Sequence, residues 1–193
     1  MVRLKPDNTY GDNQSRISRT SENVPKERKA VEILRVSNLS LVALVFFFSL
    51  NLAPMMFESF TSDRIWASNP PESFYMFLGQ YGQRTAHYWR VVSPLALITF
   101  IVCFVTNWNV PGRKAWLTAA FVCYLAAQIS TMAYFVPEQE RLISSAEALS
   151  REVLRSGANR WIFLNYFRVA AGVLAYVFLM SAVLLPGGAS RVS

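Results

Sequence analysis

Four long apolar runs follow a polar leader along this chain. The runs cover residues 39–57, 91–105, 115–136 and 161–185. A helix needs roughly 20 apolar residues to cross a bilayer, and the second run reaches that length by taking its first turns from "RTAHYWR". Because every backbone N–H and C=O needs a partner within its own segment in lipid, each run is expected to be helical. The pattern predicts an all-α membrane protein with a bundle of four transmembrane helices.

The first 36 residues differ sharply from this apolar part. They are rich in Asn, Ser, Arg, Lys and Glu, and they contain too few apolar residues to bury a core. We therefore predict an N-terminal tail that is disordered or lies on the membrane surface. The predicted organisation is a polar basic tail over residues 1–36, the bundle over residues 37–186 and a C-terminal tail over residues 187–193.

The formal net charge of +7 adds an orientation to this picture. The cations lie in tails and loops beside the spans, and no basic helix with interleaved aromatic residues is present, so nucleic acid is not predicted as a partner. The N-terminal tail and the short second loop carry Lys and Arg, which places both on the cytoplasmic side. The Arg-rich third loop reduces this bias. We predict a bacterial inner-membrane protein with both termini in the cytoplasm.

The first and third loops are long and are predicted to lie outside. The third loop carries apolar residues at helical spacing between Leu142 and Leu154, followed by Gly157. Because glycine commonly ends helices, the spacing predicts a short outer helix that stops at Gly157.

The fourth apolar run contains a guanidinium, Arg168, seven residues after Trp161. A charged side chain within a span costs at least about 2.5–3.5 kcal/mol on insertion scales, and it usually faces the bundle interior or water. Asn165 and Arg168 fall on the same helix face as Trp161. We therefore expect Arg168 to point into the bundle.

The other three spans carry polar residues at the same end. Because consecutive spans alternate in direction, these residues and those of the fourth span are predicted to meet near the outer face: Glu58, His87, Arg90, Glu138, Asn165 and Arg168. Pro54 and Pro94 each remove a backbone hydrogen bond in this half of the bundle, so they are expected to kink their helices and open a cavity.

Three kinds of chemistry are compatible with this set. His87 is a candidate general base, with Arg90 and Arg168 as anion stabilisers beside Asn165. His87, Glu58 and Glu138 are also candidate metal ligands, because one nitrogen and two carboxylates suit iron, manganese or zinc, although no tight motif such as HExxH is present. In the third interpretation the two Arg and two Glu side chains only neutralise one another. No cofactor is identified.

Four short motifs resemble a known family. They are "NLAPMMFE" at the end of the first span, "RTAHYWR" at the start of the second, "YFVPEQERL" at the end of the third and "RWIFLNYFR" at the start of the fourth. Together, over roughly residues 38–185, they resemble the anthrone-oxygenase-like family of small membrane proteins. The resemblance implies a four-helix bundle and, for the characterised branch, cofactor-independent oxygenation of a polycyclic phenolic substrate. His87 and Arg168 are the positions carried over. The long outer loops and the basic tail depart from the family pattern.

The leading hypothesis is a small membrane oxidoreductase of the oxygenase type. Its substrate is predicted to be an apolar aromatic or quinone-like molecule taken from the lipid bilayer. The alternative is a non-catalytic accessory subunit that uses its loops and tail to contact other subunits of a membrane complex, or further copies of itself.

Overall fold

The computed structural model describes residues 9–78, 80, 82 and 85–185, with the side chains of Arg28 and of residues from 31 onward. The predicted C-terminal tail, 187–193, and the first eight residues of the predicted N-terminal tail lie outside the described residues. Within the described chain, the secondary structure is helical throughout and contains no strand.

Six α-helices form the frame of the part of the chain that the structure describes. In chain order they are α1 (Thr9–Phe60), α2 (Ser62–Trp66), α3 (Thr85–Asn107), α4 (Arg113–Ser130), α5 (Val136–Ser144) and α6 (Arg151–Leu184). A 3₁₀-helix covers Glu72–Phe77 in the first long loop, and a π-helical segment, Thr131–Phe135, joins α4 directly to α5.

The four predicted membrane spans are confirmed. Four helical segments are long and apolar enough to cross a bilayer: Val31–Trp66, Thr85–Asn107, Arg113–Ser144 and Arg151–Leu184. The protein is therefore an all-α integral membrane protein. The boundary between a tail over residues 1–36 and the bundle falls inside the continuous helix α1 and stays a prediction.

Successive spans run antiparallel. α1 packs against α3 and α6, and α4 packs against α6. Ser37 near the start of the first span bonds the carbonyl of Thr106 near the end of α3, at 2.6 Å. One end of the bundle thus carries both long connections and is called the long-loop end. The other end carries the connection over residues 108–112 and is called the short-loop end.

The helices α1 and α3 continue through their prolines. Pro54 cannot donate a hydrogen bond to the carbonyl of Leu50, four residues earlier. That carbonyl instead accepts a hydrogen bond from the hydroxyl of Tyr88 on α3. A proline that frees a carbonyl therefore creates a contact between two spans.

The predicted helix stop at Gly157 is wrong. α6 runs without interruption from Arg151 to Leu184 and passes through Gly157. A Cβ built at Gly157 would lie 2.7 Å from Cδ2 of Leu142. The glycine therefore allows α5 to approach α6 closely, which is a packing role that a sequence reading mistakes for a helix end.

A buried polar cluster ties the spans together at the short-loop end. Asn107 is fully buried, and its Nδ2 donates to the carbonyl of Cys103 at 2.9 Å and to the carbonyl of Ser37 at 3.2 Å. Its Oδ1 accepts from Nη1 of Arg113 at 3.0 Å, and Nη2 of Arg113 donates to the carbonyl of Leu185 at 3.4 Å. These bonds connect α1, α3 and α4 with the end of α6, and the cluster is called the inner clamp.

We expect Asn107→Leu to lower the free energy of unfolding by about 2–4 kcal/mol. The substitution leaves the buried Arg113 without its side-chain acceptor, and an unsatisfied buried charged donor costs more than a neutral hydrogen bond contributes. Unfolding in mixed micelles with increasing SDS measures the change. Asn109→Leu is the matched control because Asn109 is exposed in the next turn. Equal losses in the two variants would contradict a specific role of the clamp.

Candidate functional site

Arg168 points into the bundle, as its helix face predicted. Its Nη1 donates to Oγ1 of Thr131 at 3.2 Å. Its Cζ lies 4.8 Å from the ring centroid of Phe135 and 5.9 Å from that of Trp161. A guanidinium at this distance from an aromatic face is attracted by the ring quadrupole, and more strongly where water is excluded.

The π-helical segment supplies two of these contacts. Pro137 lacks an N–H, and its ring clashes with the carbonyl four residues earlier, so a regular α-helix is disrupted just before it. The helix widens into a π-helical turn over Thr131–Phe135, a feature that is frequent at functional sites. The carbonyl of Phe135 accepts a hydrogen bond from Nε1 of Trp161 at 2.9 Å, which fixes the segment against α6.

A second polar group lies beside Arg168 and joins α6 to the end of the first span. Nδ2 of Asn165 donates to Oγ of Ser59 and to Oδ2 of Asp63, both at 2.8 Å. Asp63 is only 5% exposed and Asn165 only 1% exposed. Asp63 is therefore a buried acidic residue whose carboxyl group is held by an amide on α6.

Asp63 and Glu58 are the acidic groups that act electrostatically on Arg168. Neither forms a direct ion pair with it; among the residues that the structure describes, the ion pairs are Arg141–Glu138 and Arg151–Glu72. The guanidinium is therefore balanced at longer range, and its donors are not used up by a carboxylate.

An open groove of about 350 Å³ runs between α4 with its π-helical segment and α6. Its lining is mainly apolar and consists of Ala126, Ala127, Ser130, Tyr134, Phe135, Leu164, Phe167, Arg168 and Ala171. Two buried polar atoms of this lining, Nε of Arg168 and the hydroxyl of Tyr134, have no hydrogen-bond partner in the described part of the chain. Because Phe167 is exposed on the flank of a membrane-spanning bundle, the groove opens toward lipid.

An apolar cluster lies on the long-loop side of Arg168. Its buried members come from the first long loop, the π-helical segment, α5 and the start of α6: Trp66, Ala67, Phe74, Phe135, Leu142, Leu154, Ala158 and Trp161. Trp66 and Trp161 meet edge to face at a centroid distance of 5.3 Å. This cluster is called the aromatic cap, and it packs on the long-loop side of Arg168, to which it contributes the rings of Phe135 and Trp161.

The structure brings together only part of the predicted site. Asn165 and Arg168 belong to one buried group, with Glu58 close enough to act on Arg168 electrostatically. His87 and Arg90 are exposed and do not belong to the groove lining. Glu138 bonds the exposed Arg141, with its Oε1 2.7 Å from Nη2.

The predicted metal ligands are not gathered into a site. Among the described residues, no group of three His, Cys, Asp or Glu side chains is placed to hold a metal ion. Glu58 instead accepts a hydrogen bond from Nε1 of Trp89 at 3.3 Å, and Glu138 is engaged by Arg141. The donor set of His87, Glu58 and Glu138 therefore does not fit a metal centre in this structure.

The sequence does not single out Asp63 or Tyr134. Asp63 falls in a predicted loop, although it follows Ser59 by four residues and lies on the same helical face. The π-helical turn over Thr131–Phe135 is a further departure from the regular helix that the sequence predicts. Pro137, two residues after Phe135, is the one local sign of that change.

The fold and the groove define a small four-span membrane protein with a lipid-side site that ends at an arginine. The family model described as anthrone oxygenase matches residues 83–178, from just before α3 into α6. This match confirms the resemblance to the anthrone-oxygenase-like family that the motifs predicted. No curated protein and no solved structure matches it in the corresponding comparisons.

We expect Asp63 and Arg168 to stabilise the fold cooperatively. Asp63→Asn leaves the buried guanidinium with less compensating negative charge, but in an Arg168→Gln background there is no charge left to compensate. A double-mutant cycle on the free energy of unfolding should give a coupling of about 0.5–3 kcal/mol. The control cycle uses Arg160→Gln, at an exposed position of the same helix. Additive effects of Asp63→Asn and Arg168→Gln would show that the two charges are independent.

Proposed function

We propose that this protein is a membrane oxygenase that oxidises a polycyclic phenolic molecule held in the groove between α4 and α6. The observation that carries the proposal is the position of Arg168, a cationic residue, in the lining of an apolar groove that opens toward lipid. The match of residues 83–178 to the anthrone oxygenase family model supports the reaction type.

The groove suits an apolar aromatic ligand. Its volume of about 350 Å³ lies at the lower end of the range of ligand sites, roughly 300–1,000 Å³. The small side chains of Ala126, Ala127 and Ala171 leave room for a flat molecule, and Phe135 and Phe167 offer aromatic surface. A ligand dissolved in the membrane reaches this site sideways and does not cross the aromatic cap.

Arg168 supplies the electrostatic part of the proposed chemistry. Loss of a proton from an activated ring carbon gives a carbanion whose charge is delocalised onto a ring oxygen as an enolate. A cation fixed beside that oxygen, in a site with little water, stabilises the charge as it develops. The free-energy cost of burying the guanidinium is part of the stability of the folded protein, so it does not add to the activation free energy of the reaction.

The remaining steps require only dioxygen as co-reactant, in keeping with the cofactor-independent reaction that the family resemblance implies. The enolate transfers an electron to O₂, and recombination forms a carbon–oxygen bond. The resulting peroxide takes up the proton that was removed in the first step. Loss of water then converts the hydroperoxide into a ketone, so that a CH₂ group and O₂ give C=O and H₂O.

His87 and Arg90 are retained as proposals for the proton acceptor and a second anion stabiliser. Their exposure and their absence from the groove lining mean that the geometry supports Arg168 more directly. The orientation with both termini in the cytoplasm of a bacterium belongs to the same proposal, and so does the alternative role as an accessory subunit.

Replacement of Arg168 by Gln tests the proposal. Purified protein in lipid nanodiscs is given an anthrone, and O₂ uptake and quinone absorbance are followed. Because removing one preorganised group that stabilises an oxyanion costs about 10²–10³ in kcat, we expect Arg168→Gln to lower the rate by at least that factor. Arg160→Gln on the exposed part of the same helix serves as the control.

The His87→Ala variant separates the two predicted roles. If His87 accepts the proton, its loss lowers the rate and changes the pH dependence of kcat, since proton transfer by a positioned side chain contributes typically 10²–10⁴-fold. If His87→Ala keeps the rate and Arg168→Gln loses it, another group accepts the proton. An undiminished rate in Arg168→Gln would refute the proposed chemistry.

A further inference from the structure

A second groove lies at the short-loop end of the bundle, where α4 begins. Its volume is about 580 Å³, and its lining consists of Gly112, Lys114, Ala115, Thr118 and Ala119. Ala115 and Thr118 are exposed, so this groove faces away from the interior of the bundle. Because α4 belongs to a membrane-spanning segment, an outward-facing groove at its end borders lipid. We call it the short-loop groove.

Lys114 brings a positive charge to the short-loop groove. Its side chain is exposed, and its Nζ lies 3.5 Å from the ring centroid of Trp108, which is itself 46% exposed. The contact with the ring positions the ammonium group without neutralising its charge. Lys114 takes part in neither of the ion pairs that the described residues form. Its ammonium group is therefore available to a negative group from outside the chain.

The surroundings of Lys114 are poor in negative charge. The sequence contains no Asp or Glu over residues 73–137, a range that includes both helices next to the short loop. On α1, the described side chains before Ser37 include two basic ones, Arg28 and Arg35, and one acidic one, Glu32. An excess of positive charge at one end of a membrane protein attracts anionic lipid headgroups.

The lining of the short-loop groove suits both parts of a phospholipid. Gly112 has no side chain to cap the start of α4, and the N–H groups at a helix N-terminus favour a phosphate beside the ammonium of Lys114. One turn deeper, Ala115 and Ala119 lie on the same helix face, and their small side chains leave room for an acyl chain. The hydroxyl of Thr118 donates to the carbonyl of Lys114 at 2.8 Å, so it adds no further donor.

We propose that the short-loop groove binds one anionic phospholipid. The phosphate lies at Lys114 and the start of α4, and an acyl chain runs along Ala115 and Ala119. A zwitterionic phospholipid offers the same acyl chains, but its own cationic group meets an end of the protein that is already positive. The site lies at the opposite end of α4 from Arg168, and it does not depend on the proposed oxygenase reaction.

Competition between two lipids tests the role of Lys114. The full-length protein in detergent is titrated with phosphatidylglycerol or phosphatidylcholine of identical acyl chains, and native mass spectrometry counts the bound lipids. Because one basic residue near an anionic lipid contributes roughly fivefold in affinity, we expect wild type to bind one phosphatidylglycerol at least about fivefold more tightly than phosphatidylcholine. Lys114→Gln should reduce this preference about fivefold. Arg35→Gln is the matched control, because it removes the same charge at the same end but outside the groove lining.

A second pair of variants tests the position of the acyl chain. Ala115→Leu fills the groove without changing the charge, so it should weaken the binding of both lipids and keep the ratio of their affinities. Ala53→Leu is the control, because Ala53 is an exposed alanine of the first span that does not line the groove. Both positions are exposed, so the two variants are expected to fold.

Three results would contradict the proposal. Equal binding of the two lipids by wild type would overturn it outright. Equal losses of preference in Lys114→Gln and Arg35→Gln would show a diffuse attraction to the whole short-loop end and would refute a site at Lys114. Equal effects of Ala115→Leu and Ala53→Leu would refute the placement of the acyl chain in the groove.

Discussion

The fold is organised around one costly group, the guanidinium of Arg168 inside a transmembrane bundle. It is accommodated by the face of Phe135, by the hydroxyl of Thr131 and by the longer-range attraction of Asp63 and Glu58. This arrangement differs from a closed ion pair, in which a carboxylate in direct contact would occupy donors of the guanidinium. The charge is thus stabilised without being neutralised at short range.

Two features maintain that state. The aromatic cap packs on the long-loop side of the guanidinium and contributes the ring of Trp161, whose centroid lies 5.9 Å from Cζ of Arg168. The π-helical segment positions Thr131 and Phe135 against the guanidinium, and Trp161 holds the segment through the carbonyl of Phe135. The same segment joins α4 to α5. One continuous stretch of chain therefore lines the groove and also contributes to the aromatic cap.

The spans and the inward position of Arg168 were predictable from the sequence because both follow from the cost of polar groups in lipid. The sequence also predicted that His87 and Arg90 converge with Arg168, but both side chains are exposed and neither lines the groove. Their sequence positions place them at the same end of the bundle, but only packing decides whether a side chain at the start of α3 turns inward. Tyr134 escaped prediction because a single tyrosine within an apolar run carries no sequence signal that distinguishes it from a residue facing lipid. Asp63 escaped it because the first span is extended by α2, where a loop was expected.

The inner clamp has a consequence for the order in which the structure is completed during synthesis. Its bonds join Ser37 and Asn107, which belong to the first two spans, to Arg113 and to the carbonyl of Leu185 at the end of the last span. While the ribosome is still making α6, the arginine lacks one of its acceptors. The inner clamp is therefore complete only once the end of α6 has been synthesised and has packed beside Arg113.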